Sequence, residues 1–479
     1  MTVVLILHAL LVVAFTTRIL LRDDLSPPGR LAWFVVLNLL PYFGSVIYFL
    51  FGEIDIGNRA NKRHTEIFSE INSKAARLMG QADSSHALIK RVYRPAFQYA
   101  GSINGFHPFA GNTAQLMANS DLTLSQLVAD IDAATDHVHV LYYIWLTDYT
   151  GTELAEALIR AAQRGVTCRA MADGLGSRAL IKSAVWQRMQ DAGVQVAVAL
   201  PFNNLLRVIL ASRFDLRNHR KISVIDGRIT YCGSSNSADP EFLVKEKYGP
   251  WIDIMLRFEG PVVAQNQLLF ASDWMHATGE SLDVIPLPAA VPTPVNGGFP
   301  AQVMGVGPTE RRGATPQLFA TLFACAEYTL TLTTPYFVPD ATVLEALCAA
   351  AYRGVKVTLI YPKVNDSWIV AAASRSYYHK LLDAGCVIYE HRVGLLHAKT
   401  LTVDGKVSLI GSSNLDLRSF DLNYENNILL QDERITQAIT QRQQEYLADS
   451  DRVHLSAVLA WRYYRRVWNN VIATIGPVL

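Results

Sequence analysis

The sequence is poor in the residues that would make it a disulfide scaffold or a zinc protein. Its 479 residues hold five cysteines, Cys168, Cys232, Cys325, Cys348 and Cys386, an odd number scattered among apolar neighbours. No two form a C-x-x-C pair, so buried thiols are expected and neither a disulfide framework nor a thiolate zinc site is. The chain also lacks a surplus of charge of either sign. Its 43 Lys and Arg stand against 42 Asp and Glu, a formal net charge of +1, which gives no support to a nucleic acid bound through its phosphates. Charge is missing altogether from residues 31–51, LAWFVVLNLLPYFGSVIYFLF.

That uncharged run is long enough to cross a bilayer as a helix, and Pro41 in its middle would kink it. An earlier run, Val3 to Phe15, is apolar apart from His8. It has no basic segment ahead of it and no small-x-small cleavage site before Arg18, which argues against a removed signal peptide. Residues 1–52 are therefore expected to form two transmembrane helices, a hairpin with Trp33, Tyr42 and Tyr48 at the interfaces. Arg18, Arg22 and Arg30 on its loop nearly balance Arg59, Lys62 and Arg63 beyond it. Reduced-looking cysteines favour the cytoplasmic face for the catalytic part of the chain.

After a polar helical linker (53–104), strand-like and helix-like runs alternate twice, over 105–285 and 316–479, with a Pro- and Gly-rich linker at 286–315 between. The order is the same each time: Arg164-Gly165-Val166 recurs as Arg353-Gly354-Val355, and Asp191-Ala192-Gly193 as Asp383-Ala384-Gly385. Such alternation implies an α/β fold of two pseudo-symmetric halves, each with a largely parallel sheet. One segment breaks the symmetry. From the Asp-Ala-Gly step to the next motif is 28 residues in the first half and 14 in the second. The surplus carries Phe202, Leu205, Leu206, Ile209 and Leu210 at helical spacing against Arg207, Arg213 and Arg217, which suits an amphipathic helix packed on the core or laid on lipid. The chain ends in another such pattern, with Trp461, Tyr464, Trp468, Val471 and Ile475 interleaved by Arg462, Arg465 and Arg466.

The chemistry lies in a repeat within the repeat. NHRKISVIDGRITYCGSSN at 218–236 returns as LHAKTLTVDGKVSLIGSSN at 396–414, and His219, Lys221, Asp226, Ser235 and Asn236 match His397, Lys399, Asp404, Ser413 and Asn414, each 178 positions later. A purely structural repeat would keep apolar positions and let polar ones drift. Strand alternation points His and Lys two apart to one side, so each copy offers an imidazole and an ammonium to one spot. Two copies together suit phosphoryl transfer: lysines, Ser235, Asn236, Ser413 and Asn414 hold phosphate oxygens, one imidazole attacks phosphorus, and the other protonates the leaving alkoxide. Asp253 and Glu425 follow the two motifs at comparable distances and could hold the far nitrogen of each histidine. Asp226 and Asp404, each before Gly in a hairpin turn, are better placed to fix the turn or a partner helix.

Two H-x-K-x4-D motifs are the signature of the phospholipase D superfamily, and the chain around them resembles the bacterial cardiolipin synthases. The likeness runs from LLPYFGSVIYFLFGE through AGNTAQLM, PWIDIMLRFEGPVV and TTPYFVPD to GSSNLDLRSFDLNYENN. It implies phospholipase D-like halves with the active site between them, in a multi-pass protein of the bacterial inner membrane. It further implies transfer of a phosphatidyl group between two phosphatidylglycerol molecules through a phosphohistidine. His219 would be the nucleophile and His397 the general acid and base, with Lys221, Lys399, Asn236 and Asn414 on phosphate and Asp226 and Asp404 counted in the catalytic motif. Its partners would be phospholipids and the bilayer, with no metal, no cofactor and no nucleic acid. The alternative is a membrane-anchored phospholipase D that hydrolyses phospholipids to phosphatidic acid. The Gly-Ser-Ser-Asn at 233–236 departs from the family's more usual Gly pair and bears on phosphate contacts.

Overall fold

The computed structural model describes residues 2–23, 25, 27–40, 42–52, 58–201 and 215–474. Among these, 16 strands join one continuous sheet. Its middle is an antiparallel pair, Phe109–Leu116 against Phe299–Val306, and the strands run outward from that pair in matching order. On one side come Met255–Glu259, Ile229–Gly233, Lys221–Ile225, His137–Tyr142, Thr167–Asp173 and Gln195–Ala199; on the other Asn423–Gln431, Val407–Gly411, Thr400–Val403, Thr329–Thr333, Lys356–Pro362 and Val387–His391. The two halves are thus related by a pseudo-two-fold axis through the central pair.

Each half's sheet is mixed, which corrects the largely parallel sheet expected from the alternation of elements. Three long strands of each half run parallel, His137–Tyr142, Thr167–Asp173 and Gln195–Ala199 in the first and Thr329–Thr333, Lys356–Pro362 and Val387–His391 in the second, where Ser450–Val453 adds an antiparallel edge. The motif strand and its successor form a hairpin through Asp-Gly, as that dipeptide dictates, so the inner strands are antiparallel. The expected linker at 286–315 is not one throughout either. Its Phe299–Val306 is a buried strand between Phe109–Leu116 and Asn423–Gln431, and its alternating apolar residues weld the halves.

The helices cover both faces for reasons local to the sequence. Asp148 caps Tyr149–Gln163 by accepting from Gly151 N, and Gly165 at φ 90 lets the chain turn back after it. Asp340 and Asp432 cap Ala341–Tyr352 and Glu433–Ala448 in the same way. Val262–Thr278 is buried nearly all round and packs Leu268, Leu269, Phe270 and Trp274 into the core, each such side chain contributing about 1.5–3 kcal/mol. All five cysteines are buried and unpaired.

At the N-terminus the uncharged run is two helices where one kinked helix was expected. Pro27–Leu39 ends ahead of Tyr42, a non-glycine residue at φ 66, and Phe43–Phe51 starts after it. With Thr2–Leu20 they form a small bundle around Ile19, Leu37 and Tyr48, closed where Arg22 donates to Gly52 O and Arg30 to Arg22 O. Among the described residues no helix is long and apolar enough to cross a membrane. The surplus segment's Phe202, Leu205, Leu206, Arg207, Ile209, Leu210 and Arg213 lie outside the described residues, as does Ile475. Tyr463–Thr474 is the expected C-terminal helix, docked through Ile472 on Val338, Ala372 and Ala373.

Candidate active site

Both histidines stand where the halves exchange short strands. Arg217–Asn218 pairs with Asn423–Tyr424 of the second half, and Leu395–Leu396 with Trp251–Ile252 of the first. His219 N then donates to Tyr424 O at 2.9 Å and His397 N to Ile252 O at 2.8 Å. The next residue on each partner strand is an acid. His219 Nδ1 lies 2.8 Å from Glu425 Oε2, and His397 Nδ1 lies 2.7 Å from Asp253 Oδ1. Spacing along the chain suggested that each acid would serve the histidine of its own half; the strand exchange crosses them instead.

The acids are prepared for this contact. Glu425 is fully buried and its other oxygen accepts from Ser419 Oγ at 3.0 Å and Asn423 Nδ2 at 3.3 Å. Asp253 Oδ1 also accepts from Ser234 Oγ at 2.5 Å. Burial alone would raise both carboxyls, but the facing histidine and the buried lysines outweigh it and hold both below the usual carboxylate range. Ionised acceptors fix the proton of each imidazole on Nδ1 and leave Nε2 with its lone pair. Burial, working first, pushes both imidazoles below their ordinary value, so they are neutral near pH 7.

Lys221 and Lys399 project beside them, each ammonium donating to the carbonyl of its own histidine, at 2.7 and 2.6 Å. Burial lowers Lys221 to about 8 and Lys399 to about 7, against the pull of the two acids. A cationic pocket held so far from water is primed for an anion that restores those charges. Tyr143 stands edge-on to the His219 ring at 4.9 Å and Trp251 leans on His397 at 4.4 Å, two apolar walls that limit water.

Other candidates fall differently. Asn236 is held through Oδ1 by Ile144 N at 3.3 Å, and with Ser235 it lines a cleft shared with Trp251 and Asp253. Asn414 Oδ1 is buried with no partner, and Ser413 Oγ accepts from Asn427 Nδ2 at 2.8 Å, which leaves its own O–H to donate. Asp226 and Asp404 are not in the site. Asp226 accepts from the backbone of Thr135, Asp136 and His137, and Asp404 from Glu327, Tyr328 and Thr329. Each ties the motif hairpin to the start of its neighbouring strand, five residues past the lysine and roughly 17 Å along the strand. This sets them apart from the reacting groups of the catalytic motif and agrees with the turn-fixing role read from Asp-Gly: their oxygens accept from amides at the far end, with the Thr135 hydroxyl added at Asp226 and the Tyr93 hydroxyl at Asp404.

The sequence reading sets Ser234 towards phosphate, whereas its hydroxyl belongs to a shell behind the acids that also includes Ser412 and Arg220. Ser234 and Ser412 are equivalent by the same 178-residue offset, a signal that was available, and both face the neighbouring acid-bearing strand. Arg220, buried between His219 and Lys221, donates to Asp273 at 2.6 Å and to Glu425 O at 3.1 Å; its counterpart is Ala398. Among the described residues no group of three or more His, Cys, Asp or Glu is placed to hold a metal.

The profile of a family described as cardiolipin synthase, PLD-like domain, matches residues 127–252 and 320–447, and that of the phospholipase D-nuclease N-terminal family matches 9–53. Cardiolipin synthase A of Serratia proteamaculans is 36% identical over 98% of this chain and 96% of its own. The protein of that name from Edwardsiella ictaluri is 37% identical over 98% and 96%. The crystal structure of phosphatidylserine synthase from Haemophilus influenzae superposes with a TM-score of 0.59 at 16% identity, covering 82% of this chain and 100% of that one, a likeness of fold.

Proposed function

The chain belongs to the cardiolipin synthase family of phospholipase D-like proteins, and we propose that it transfers a phosphatidyl group from one phosphatidylglycerol to another. His219 Nε2 attacks phosphorus and the bond from phosphorus to the glycerol oxygen breaks. His397 supplies the proton to that oxygen, and glycerol leaves. The hydroxyl of a second phosphatidylglycerol then gives its proton to His397 and attacks the phosphohistidine, so the phosphorus–nitrogen bond breaks and cardiolipin forms. One phosphodiester is lost and one made, so no outside energy is needed. The observation that carries this reading is the crossed pair of carboxylate-held histidines, at 2.8 and 2.7 Å, one equipped to attack and one to shuttle a proton. His397 takes up its proton as the anionic phosphodiester enters, since a negative charge nearby favours the imidazolium. Lys221 and Lys399, with Asn236 and Asn414, hold the phosphoryl oxygens.

The N-terminal helices anchor this machinery in the bacterial inner membrane as a multi-pass hairpin, with the catalytic part on the cytoplasmic face. Support comes from the outward-facing Leu10, Val13, Leu31 and Phe43, each more than 60% exposed, on a bundle whose own core is small. The experiment is incubation with phosphatidylglycerol vesicles followed by mass analysis of the products. Cardiolipin and glycerol in equal amounts are expected; phosphatidic acid without cardiolipin would replace the transferase with a phospholipase D.

A further inference from the structure

One stretch beside the site keeps large apolar side chains in water. Phe242 takes a left-handed backbone, φ 44 and ψ 64, which a bulky residue avoids. The turn sends its ring inward onto Trp251 at 4.1 Å, itself packed on His397 at 4.4 Å. The same turn sends Leu243 and Val244 outward, 69% and 67% exposed. Lys245 next in line reaches across to Asp366 at 2.5 Å, two residues before Trp368. Trp368 is exposed and stacks on the exposed Trp468 of the C-terminal helix, centroids 6.0 Å apart at 16°.

The Lys245–Asp366 ion pair links the segment of Leu243 and Val244, which lies behind the Phe242 and Trp251 rings from His397, to the Trp368–Trp468 stack, so exposed apolar residues from three separate parts of the chain meet at one rim. A water-facing surface seldom keeps such a patch. Its charge says what covers it. Residues 462–474 hold three arginines and no acidic residue, and Arg465 stacks on Trp461 at 4.2 Å. Aromatic side chains flanked by arginines match the headgroup layer of an anionic bilayer. We propose that this rim docks on an anionic phospholipid surface and seats the His397 side of the active-site mouth against it. The inference rests on the lipid substrate proposed above and names the surface that receives it.

The test uses the full-length chain. A polarity-sensitive fluorophore is placed at Val244→Cys, or at Gln190→Cys on the outer helix Ala184–Asp191 as a control, the five native thiols being buried. In phosphatidylglycerol vesicles the label at 244 should shift to the blue and be quenched by brominated phosphatidylglycerol, while that at 190 should not. A label at 244 that stays water-like overturns the proposal. This readout does not depend on cardiolipin being made, so failure of docking and failure of the transferase reading are separable. As a second measurement, Leu243→Ser with Trp468→Ser should lower kcat/KM on vesicles roughly tenfold, while turnover of monomeric short-chain phosphatidylglycerol stays within about twofold. Equal loss on both substrates, or none on vesicles, also overturns it.

Discussion

Glu425 follows His219 by 206 residues and lies 2.8 Å from its Nδ1, while Asp253, in the same half as His219, is bonded to His397 instead. Neither half therefore contains a complete histidine–carboxylate pair. The two acids should be separable by leaving group. Glu425→Gln is expected to slow phosphohistidine formation about 10²–10⁴-fold whatever the leaving group, because it releases the attacking imidazole from its tautomer. Asp253→Asn should slow it comparably for glycerol and far less for an activated phenolate. Rapid-quench trapping of the phosphoenzyme distinguishes them; the same dependence in both variants would show that the crossed pairs do not divide the labour.

The histidines themselves make the corresponding test. His219→Ala should form no phosphoenzyme with any substrate. His397→Ala should still form one from a phosphatidyl ester with an activated leaving group, which needs no acid. A phosphohistidine found in the first variant would exchange the two roles.

The halves, their pseudo-symmetry and the two His-Lys pairs were legible because a 178-residue offset preserves polar residues that packing does not require. Three things were not legible, for physical reasons. Pairing across the halves is set by tertiary contact: nothing local in PWIDIM says that Ile252 O will meet His397 N. The strand Phe299–Val306 follows a Pro- and Gly-rich stretch that overrode its own short apolar pattern, and only the central pairing reveals it. The N-terminal run reads as one span by hydropathy, while the backbone turns at Tyr42 and yields two shorter helices.

Asp226 should behave as a structural residue. Burial would raise its carboxyl, but the amides of Thr135, Asp136 and His137 outweigh that and hold it below its ordinary value. A depressed folded value means that its stabilisation is present above the unfolded pKa and is lost as pH falls through the folded one. Asp226→Asn tolerates the residue's φ of 50 and replaces one accepting oxygen, with the charge, by a donating NH2 that faces the same amides. It should cost about 1–3 kcal/mol by thermal or denaturant melt, the loss shrinking in acid, with kcat per folded molecule unchanged. A large fall in kcat at full folding would return Asp226 to the catalytic set.

The lysines give the site a pH dependence of its own. Lys399, lowered to about 7, and Lys221, lowered to about 8, are driven down first by burial. An anion binds best to their charged forms, so the affinity for inorganic phosphate should fall as pH rises through those two values and should be restored on going back. Calorimetric titration across that range measures it, and Lys399→Met should remove the lower of the two steps. Affinity that is flat across both would mean that the ammonium groups do not receive the anion.

Ser234 is where this chain shows Gly-Ser-Ser-Asn, and its position assigns it to the acid and not to phosphate. Its hydroxyl donates to Asp253 Oδ1 at 2.5 Å and accepts from Ile254 N at 3.0 Å. The same carboxylate oxygen accepts from His397 Nδ1 at 2.7 Å, so the serine competes with the imidazole for the charge of Asp253. Removing the hydroxyl makes Asp253 the stronger acceptor towards His397 and stabilises the imidazolium, which moves the alkaline limb of the kcat profile to higher pH. It also leaves Ile254 N without its partner, a cost of about 1–3 kcal/mol in stability. Ser234→Ala is therefore expected to give a less stable enzyme whose kcat falls roughly tenfold, with KM for phosphatidylglycerol little changed and the alkaline limb displaced upward. Ser234→Thr, which keeps the hydroxyl, should restore the profile. A raised KM with an unmoved limb would place Ser234 on the phosphate after all.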